Sequence, residues 1–242
     1  MTLIEFLVVI VIVILLAYLL LPVLVSGGPS KIGKAFTEMQ GLETAIKQYK
    51  ATYGYFPVSP NALASGSSDF TFGTFNTSGS AIGVTNPSGY QANNSEVMAV
   101  LMDMTHFHDG LPTVNAGHSR NPQQIVFFNA KMVPDAKSHG LGLDGVLRDP
   151  WGNPYIITID SNMDHECRDA FYKLANVSEK DPDANGLNGL LRPTPPPYSS
   201  QTKDSFHANA TVMIWSLGPD GKADRSQKAD AGVNKDNILN WK

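Results

Sequence analysis

Apolar residues crowd the front of the chain and then thin out into spaced positions. Residues 6–25 carry no charge, and seventeen of those twenty are Leu, Ile, Val or Phe. A helix of that length spans roughly 30 Å at about 1.5 Å per residue, the thickness of a bilayer's hydrocarbon core. Side-chain transfer favours the membrane by about 5–10 kcal/mol. The acid just before the run, Glu5, opposes this by about 3 kcal/mol at most. There is no basic leader and no clean small-residue cleavage site, so the run predicts a retained anchor rather than a secretory signal peptide. Met1 is then either the initiator or the residue left after a short charged leader is removed. Pro22 and the Gly27-Gly28-Pro29 step weaken the helix, because proline removes a backbone hydrogen bond and clashes with the turn before it.

Beyond Ser30, an N-cap residue, apolar positions recur at spacings of three and four: Ile32, Phe36, Met39, Leu42, Ile46, Tyr49 and Tyr53. That period predicts an amphipathic helix, ended by Gly54 and Pro57. Residues 1 to about 53 thus read as one long interrupted helix, with residues 1–29 as anchor or filament core. Residues 30–242 hold its second half and a globular domain. Residues 59–94 are rich in Gly, Ser, Thr and Asn, with Asp69 their only acid and Phe70, Phe72, Phe75 and Tyr90 as anchors. They predict a long packed loop or irregular hairpin. A short helix is expected from Val97 to about Met104, and strands at 125–128, 155–159 and 210–216, the last two antiparallel. Residues 178–205, with their prolines at 193 and 195–197, read as an exposed insertion. The class expected is α+β, a long helix on a small antiparallel sheet with long loops.

Composition narrows the function. Net charge is −4, so no basic face invites nucleic acid and none is expected as a partner. Cys167 is the only cysteine, so no intrachain disulfide forms. The haem-attachment pattern Cys-x-x-Cys-His is missing, which excludes a c-type haem. No nucleophile, base and orienter stand together, so an enzyme is not expected. Asp103, His106, His108 and Asp109 are potential metal donors, but their spacing closes no site. Four sequons, at Asn76, Asn93, Asn176 and Asn209, mark possible glycan acceptors.

The string from Met1 to Ile10, Met-Thr-Leu-Ile-Glu-Phe-Leu-Val-Val-Ile, resembles the mature N-terminus of type IV pilins and type II secretion pseudopilins. Met1 stands where Phe is usual, and Pro22 matches a helix-weakening proline seen in many type IV pilins. Residues 149–155, Asp-Pro-Trp-Gly-Asn-Pro-Tyr, are similar to a turn of the major pseudopilin. The Phe56-Pro57 step is similar to the segment after its first helix. The resemblance implies cleavage ahead of Met1, N-methylation, an inner-membrane precursor pool, and extrusion by an ATPase-driven machine into a helical homopolymer at the cell surface. It also implies that Glu5 pairs with the N-terminal amine of a neighbouring subunit. Such a pairing suits the physics, since a buried anion is stable only with a counter-charge.

The ending carries a further resemblance. Ser216-Leu217-Gly218-Pro219-Asp220-Gly221, followed by Asp236-Asn237-Ile238-Leu239-Asn240-Trp241, is similar to the calcium loop that closes the major pseudopilin. It implies Asp220, Asp236, Asn237 and the Leu217 carbonyl as calcium ligands, with Asn237 in place of a second Asp. The longer loop between leaves Asp224 and Asp230 as further candidates. Two other loops begin with oxygens at positions 1, 3 and 5 of an EF-hand-like pattern. They are Asp181, Asp183 and Asn185, and Asp160, Asn162 and Asp164. Both lack the Glu at position 12, where Arg192 and Phe171 fall.

The expected function is therefore a structural subunit of a type IV pilus-like extracellular filament. A second reading keeps the same chemistry in a periplasmic secretion piston, the type II pseudopilus. A membrane-tethered enzyme and a DNA-uptake pilin fit less well, for want of a catalytic set and of a basic stripe.

Overall fold

The computed structural model describes residues 7, 9, 10, 30–64, 69–73, 84, 86, 90–180, 185–192 and 203–242. Met1, Glu5, Pro22, Asp181 and Asp183 lie outside the described residues, as does nearly all of 6–25. Leu7, Val9 and Ile10 are helical and exposed. Among the described residues no helix is long and apolar enough to cross a membrane.

The described chain is a mixture of helix and antiparallel sheet. Helix α1, Lys31–Tyr53, starts where the Gly33 amide donates to Ser30 Oγ at 3.1 Å. It stops at Gly54, whose φ of 78° suits a residue without a side chain. Short helix α2, Pro60–Ala64, leads to strand β1, Asp69–Phe72, and then helix α3, Ser95–Leu101. Strands β2, Gly140–Leu141, and β3, Leu147–Arg148, pair with each other. Strand β4, Ile156–Asp160, short helix α4, Ala175–Ser178, strand β5, Val212–Ser216, and strand β6, Ile238–Leu239, complete the order. The main sheet runs β1-β4-β5-β6, antiparallel throughout.

Strand alternation divides the sheet between two cores. Ile157, Ile159, Val212 and Ile214 face α1, whose Met39, Leu42, Ala45, Ile46 and Tyr49 are buried. Ile156, Met213 and Trp215 face the opposite way, onto Phe171, Tyr172 and the lone Cys167. Both faces of β4 and β5 are therefore dry, which explains apolar runs where a half-wet strand would alternate.

Four expectations need correction. Residues 125–128 form no strand; the Phe127 and Phe128 amides both donate to the Leu101 carbonyl at the end of α3, at 2.8 and 3.2 Å. Residues 69–72, expected within a loop, form the edge strand β1, because Phe70 and Phe72 insert into the core beside each other. The stripe on α1 does not reach its first turn: Ile32 is exposed and Phe36 only half-buried. Helix α3 also begins and ends earlier than expected. Asn94 before it is spent on the sheet, accepting from the Leu147 amide and donating to the Leu147 and Tyr155 carbonyls.

Candidate functional site

The two sequence signatures, 149–155 and 216–221, meet at one end of β4 and β5. Asp149 builds the turn before β4: its Oδ1 accepts the Trp151 and Asn153 amides at 2.8 and 2.9 Å. Gly152 sits at φ 94°, so close to the Lys137 carbonyl that an added Cβ would stand 1.9 Å from its oxygen. The turn then grips the chain leaving β5. Ser216 Oγ donates to Asp149 Oδ2, and the Asn153 side-chain amide donates to the Gly218 carbonyl at 2.9 Å. Burial pushes the Asp149 carboxyl above its ordinary range, although Ser216 and the Asn153 and Trp151 amides pull the other way.

Helix α1 fastens onto the same region. Tyr155 Oη donates to Glu38 Oε2 at 2.7 Å, and His139 Nε2 meets Glu38 Oε1 at 2.6 Å. The Lys31 ammonium lies 5.9 Å from the centre of the Trp151 ring. Five residues along the helix from Glu38, Glu43 accepts from the Asn240 side chain at 2.7 Å. Asn240 also bonds both backbone groups of Ile214, extending the β5–β6 pairing by a residue.

The expected calcium ligands are only partly assembled. Register places Ser216 opposite Ile238, so the Leu217–Gly218 step runs beside Asp236 and Asn237. Gly218 is at φ 66°, and a Cβ there would stand 2.2 Å from the Asp236 carbonyl oxygen. Asp236 Oδ1 and Asn237 Oδ1 are both buried with no hydrogen-bond partner, while Asn237 Nδ2 donates to Tyr172 Oη. A buried acceptor left bare is costly, and two on adjacent residues suit a hard cation. Beside them a groove of ≈ 330 Å³ is lined by Ile32, Phe36, Pro219, Asp236 and Asn237 among others. Asp220 points elsewhere: it is exposed, and its Oδ1 accepts the Lys222 amide two residues on. Asp224 spends its carboxylate on Ser226 and Gln227, and Asp230 is exposed. Among the described residues no three His, Cys, Asp or Glu side chains gather in a group able to hold a metal ion. The part that fits calcium is thus one carboxylate, one amide oxygen and neighbouring carbonyls.

Of the weaker candidates, Asn185 is exposed. Asp160 closes β4 and is fully buried, with Asn162 and Asp164 in the loop after it. Opposite Asp160 stands Asp69, also buried, which sequence reasoning did not place at any site. Only cross-strand register brings it there. The histidine cluster does not form: Asp103 pairs with His118 at 2.8 Å, and His106 turns to Thr105.

Comparison with protein families, curated proteins and solved structures gives no match.

Proposed function

We propose that the chain is a filament subunit of the type IV pilin and pseudopilin kind. The observation that carries this reading is the junction of the two sequence signatures beneath α1. Asp149 and Asn153 hold Ser216 and Gly218, and the helix is tied to Tyr155 through Glu38 and to Asn240 of the chain's ending through Glu43. An apolar amino-terminal run, a helix with one buried face and an antiparallel sheet are the parts such a subunit needs. In this reading residues 6–25 and α1 form one interrupted helix, bent near Pro22 and residues 27–29. The apolar half packs with its copies in the filament core and Glu5 meets a neighbour's terminal amine. Packing between apolar helices then drives assembly, since lipid and protein are equally apolar partners. The partners are further copies of the chain, the inner membrane before assembly, and the extrusion machinery. Calcium at Asp236, Asn237 and the Leu217 carbonyl staples the carboxyl-terminal loop, with Asp220 joining only if its turn opens.

Electron microscopy of sheared surface material tests the reading, with mass spectrometry of the amino terminus. Fibres containing the chain with a methylated Met1 are expected. A persistent membrane monomer retaining a leader would overturn it. The second reading, a periplasmic secretion piston, is favoured by residues 149–155 and by the chain's ending. Long extracellular fibres distinguish the first from the second.

A further inference from the structure

The two ends of β4 carry surfaces of opposite character. Past its last residue, Asp160, the chain turns through an exposed loop. The Asp160 carboxylate pins that loop by accepting the Asp164 and His165 amides at 3.3 and 3.0 Å. Met163, in the middle of it, is 47% exposed and sits at φ 59°, a conformation uncommon for a residue with a side chain. Asp164 and Glu166 flank it and share one guanidinium, that of Arg168. The loop thus presents an apolar, adaptable side chain in a net negative surround.

At the other end, Ile156 of β4 pairs with Trp215 of β5, and Ile238 of β6 with Ser216. There lies the groove of ≈ 330 Å³ beside α1, with Ile32, Phe36, Pro219, Ile238 and Leu239 as its apolar walls. Ile32 is 56% exposed, off the stripe that α1 buries. Lys235 and Lys242 also line it, and Lys31 and Lys34 are exposed in the adjoining first turn of α1. Asp236 is the acid among the lining residues, and its Oδ1 is buried. The rim is therefore net positive, the reverse of the Met163 loop.

We propose that the Met163 loop of one copy of this chain docks in the groove of the next copy. Met163 enters between the apolar walls, and Asp164 and Glu166 meet Lys235 and Lys242. This contact rests on the filament reading and joins successive globular domains. Loop and groove lie at opposite ends of one strand, so the contact is not a two-fold pair. Each copy keeps a loop and a groove free, and repetition extends a polymer. Opposite charge orients the approach and opposes loop-to-loop pairing, which would set acid against acid. Leu111 is more exposed, at 61%, but Asp109 is the one acid of its turn, and that carboxylate accepts the Leu111 amide at 3.0 Å. The Met163 loop is the apolar knob whose charge matches a basic rim.

Cross-linking of sheared fibres with a short bis-maleimide tests the contact. Cys167 is buried, so the unaltered chain is the blank. A chain carrying both Ile32→Cys and Met163→Cys should give a ladder of dimers, trimers and longer species on a denaturing gel, and each single variant should stay monomeric. Monomers from the paired variant, a ladder from Met163→Cys alone, or a ladder when Leu111→Cys replaces Met163→Cys would overturn the contact. A second variant needs no cross-linker. Met163→Gly should keep or raise the melting temperature, because φ 59° suits glycine, while fibre yield falls at least several-fold. Unchanged fibre yield would overturn the docking role. If the unaltered chain forms no fibres, the filament reading fails by itself. The contact is then tested with the paired variant purified in detergent at high concentration, where cross-linked dimers support it and monomers overturn it.

Discussion

The Asn153 side-chain amide reaches the Gly218 carbonyl at 2.9 Å, joining turns 65 residues apart in the chain. The same amide lies 3.3 Å from Asp149 Oδ2. Asn153→Ala removes both contacts and leaves the buried Asp149 carboxylate with fewer donors. The expected loss is about 1–3 kcal/mol, read as a lower urea midpoint with unchanged slope. An unshifted midpoint would mean that the junction contributes nothing to stability.

Gly218 offers a sharper probe. An added methyl group meets the Asp236 carbonyl at 2.2 Å, and a φ of 66° already disfavours any side chain. The backbone conformation alone should cost about 1–3 kcal/mol in Gly218→Ala. The clash adds to this by driving 236–237 away from 217–218. Gly110, also at positive φ but with open space around it, is the control: Gly110→Ala should lose less in the same thermal melts.

Arg148 is 1% exposed and holds both oxygens of Asp144, at 2.9 and 2.6 Å. Asp144→Asn strands a buried guanidinium, and a loss of about 3 kcal/mol is expected. Burial alone would raise the Asp144 carboxyl. The hydrogen bonds from Arg148 and from the Val146 amide outweigh it and hold the group below its ordinary 3.8. The folded value lies under the unfolded one. Its stabilisation is therefore complete above about pH 4 to 5 and disappears as pH falls through the folded value. Stability measured between pH 5 and pH 2 should fall more steeply in the unaltered protein than in Asp144→Asn. Parallel acid limbs would rule out this pair as a source of acid sensitivity.

Calcium should raise the melting temperature. At a free concentration one hundred times its Kd, one site adds about 2.7 kcal/mol, or roughly 5–10 °C for a domain of this size. Asp236→Ala should remove the share that belongs to the carboxyl-terminal loop. A melt indifferent to both chelator and calcium would take the metal out of the account.

Glu5→Ala should leave the chain in the membrane fraction while fibre yield falls at least several-fold, since apolar transfer outweighs one acid by a wide margin. Quantitative blotting of sheared and membrane material measures both. Wild-type fibre yield would refute the pairing role.

Long periodic segments were legible in the sequence. Met39 to Tyr49 repeats at three and four, Ser30 and Gly54 bracket the helix, and the residues of β4 and β5 are β-branched or aromatic enough to stand out. Strand β1 was not legible, because four residues within a Gly-, Ser- and Asn-rich stretch give too short a pattern. Residues 125–128 misled for the opposite reason. Four consecutive apolar residues imitate a buried strand, yet Val126 is 60% exposed, and Phe127 packs on the rings of Tyr49 and Tyr53. The acids at 160 and 164 could be seen, but Asp69 could not be assigned to them. Its neighbours are set by β-register, which no local spacing reveals.

The twin attachments of α1 also have a mechanical meaning. Glu38 is tied to Tyr155, just before β4, and to His139, and Glu43 to Asn240, just after β6, so the helix is riveted to the domain at two separated points rather than one. Tension applied along the helix axis loads both rivets together, with the interlocked aromatic and aliphatic face resisting in shear beneath them. Such a mount suits a part that is pulled from one end while its bulk must keep its shape.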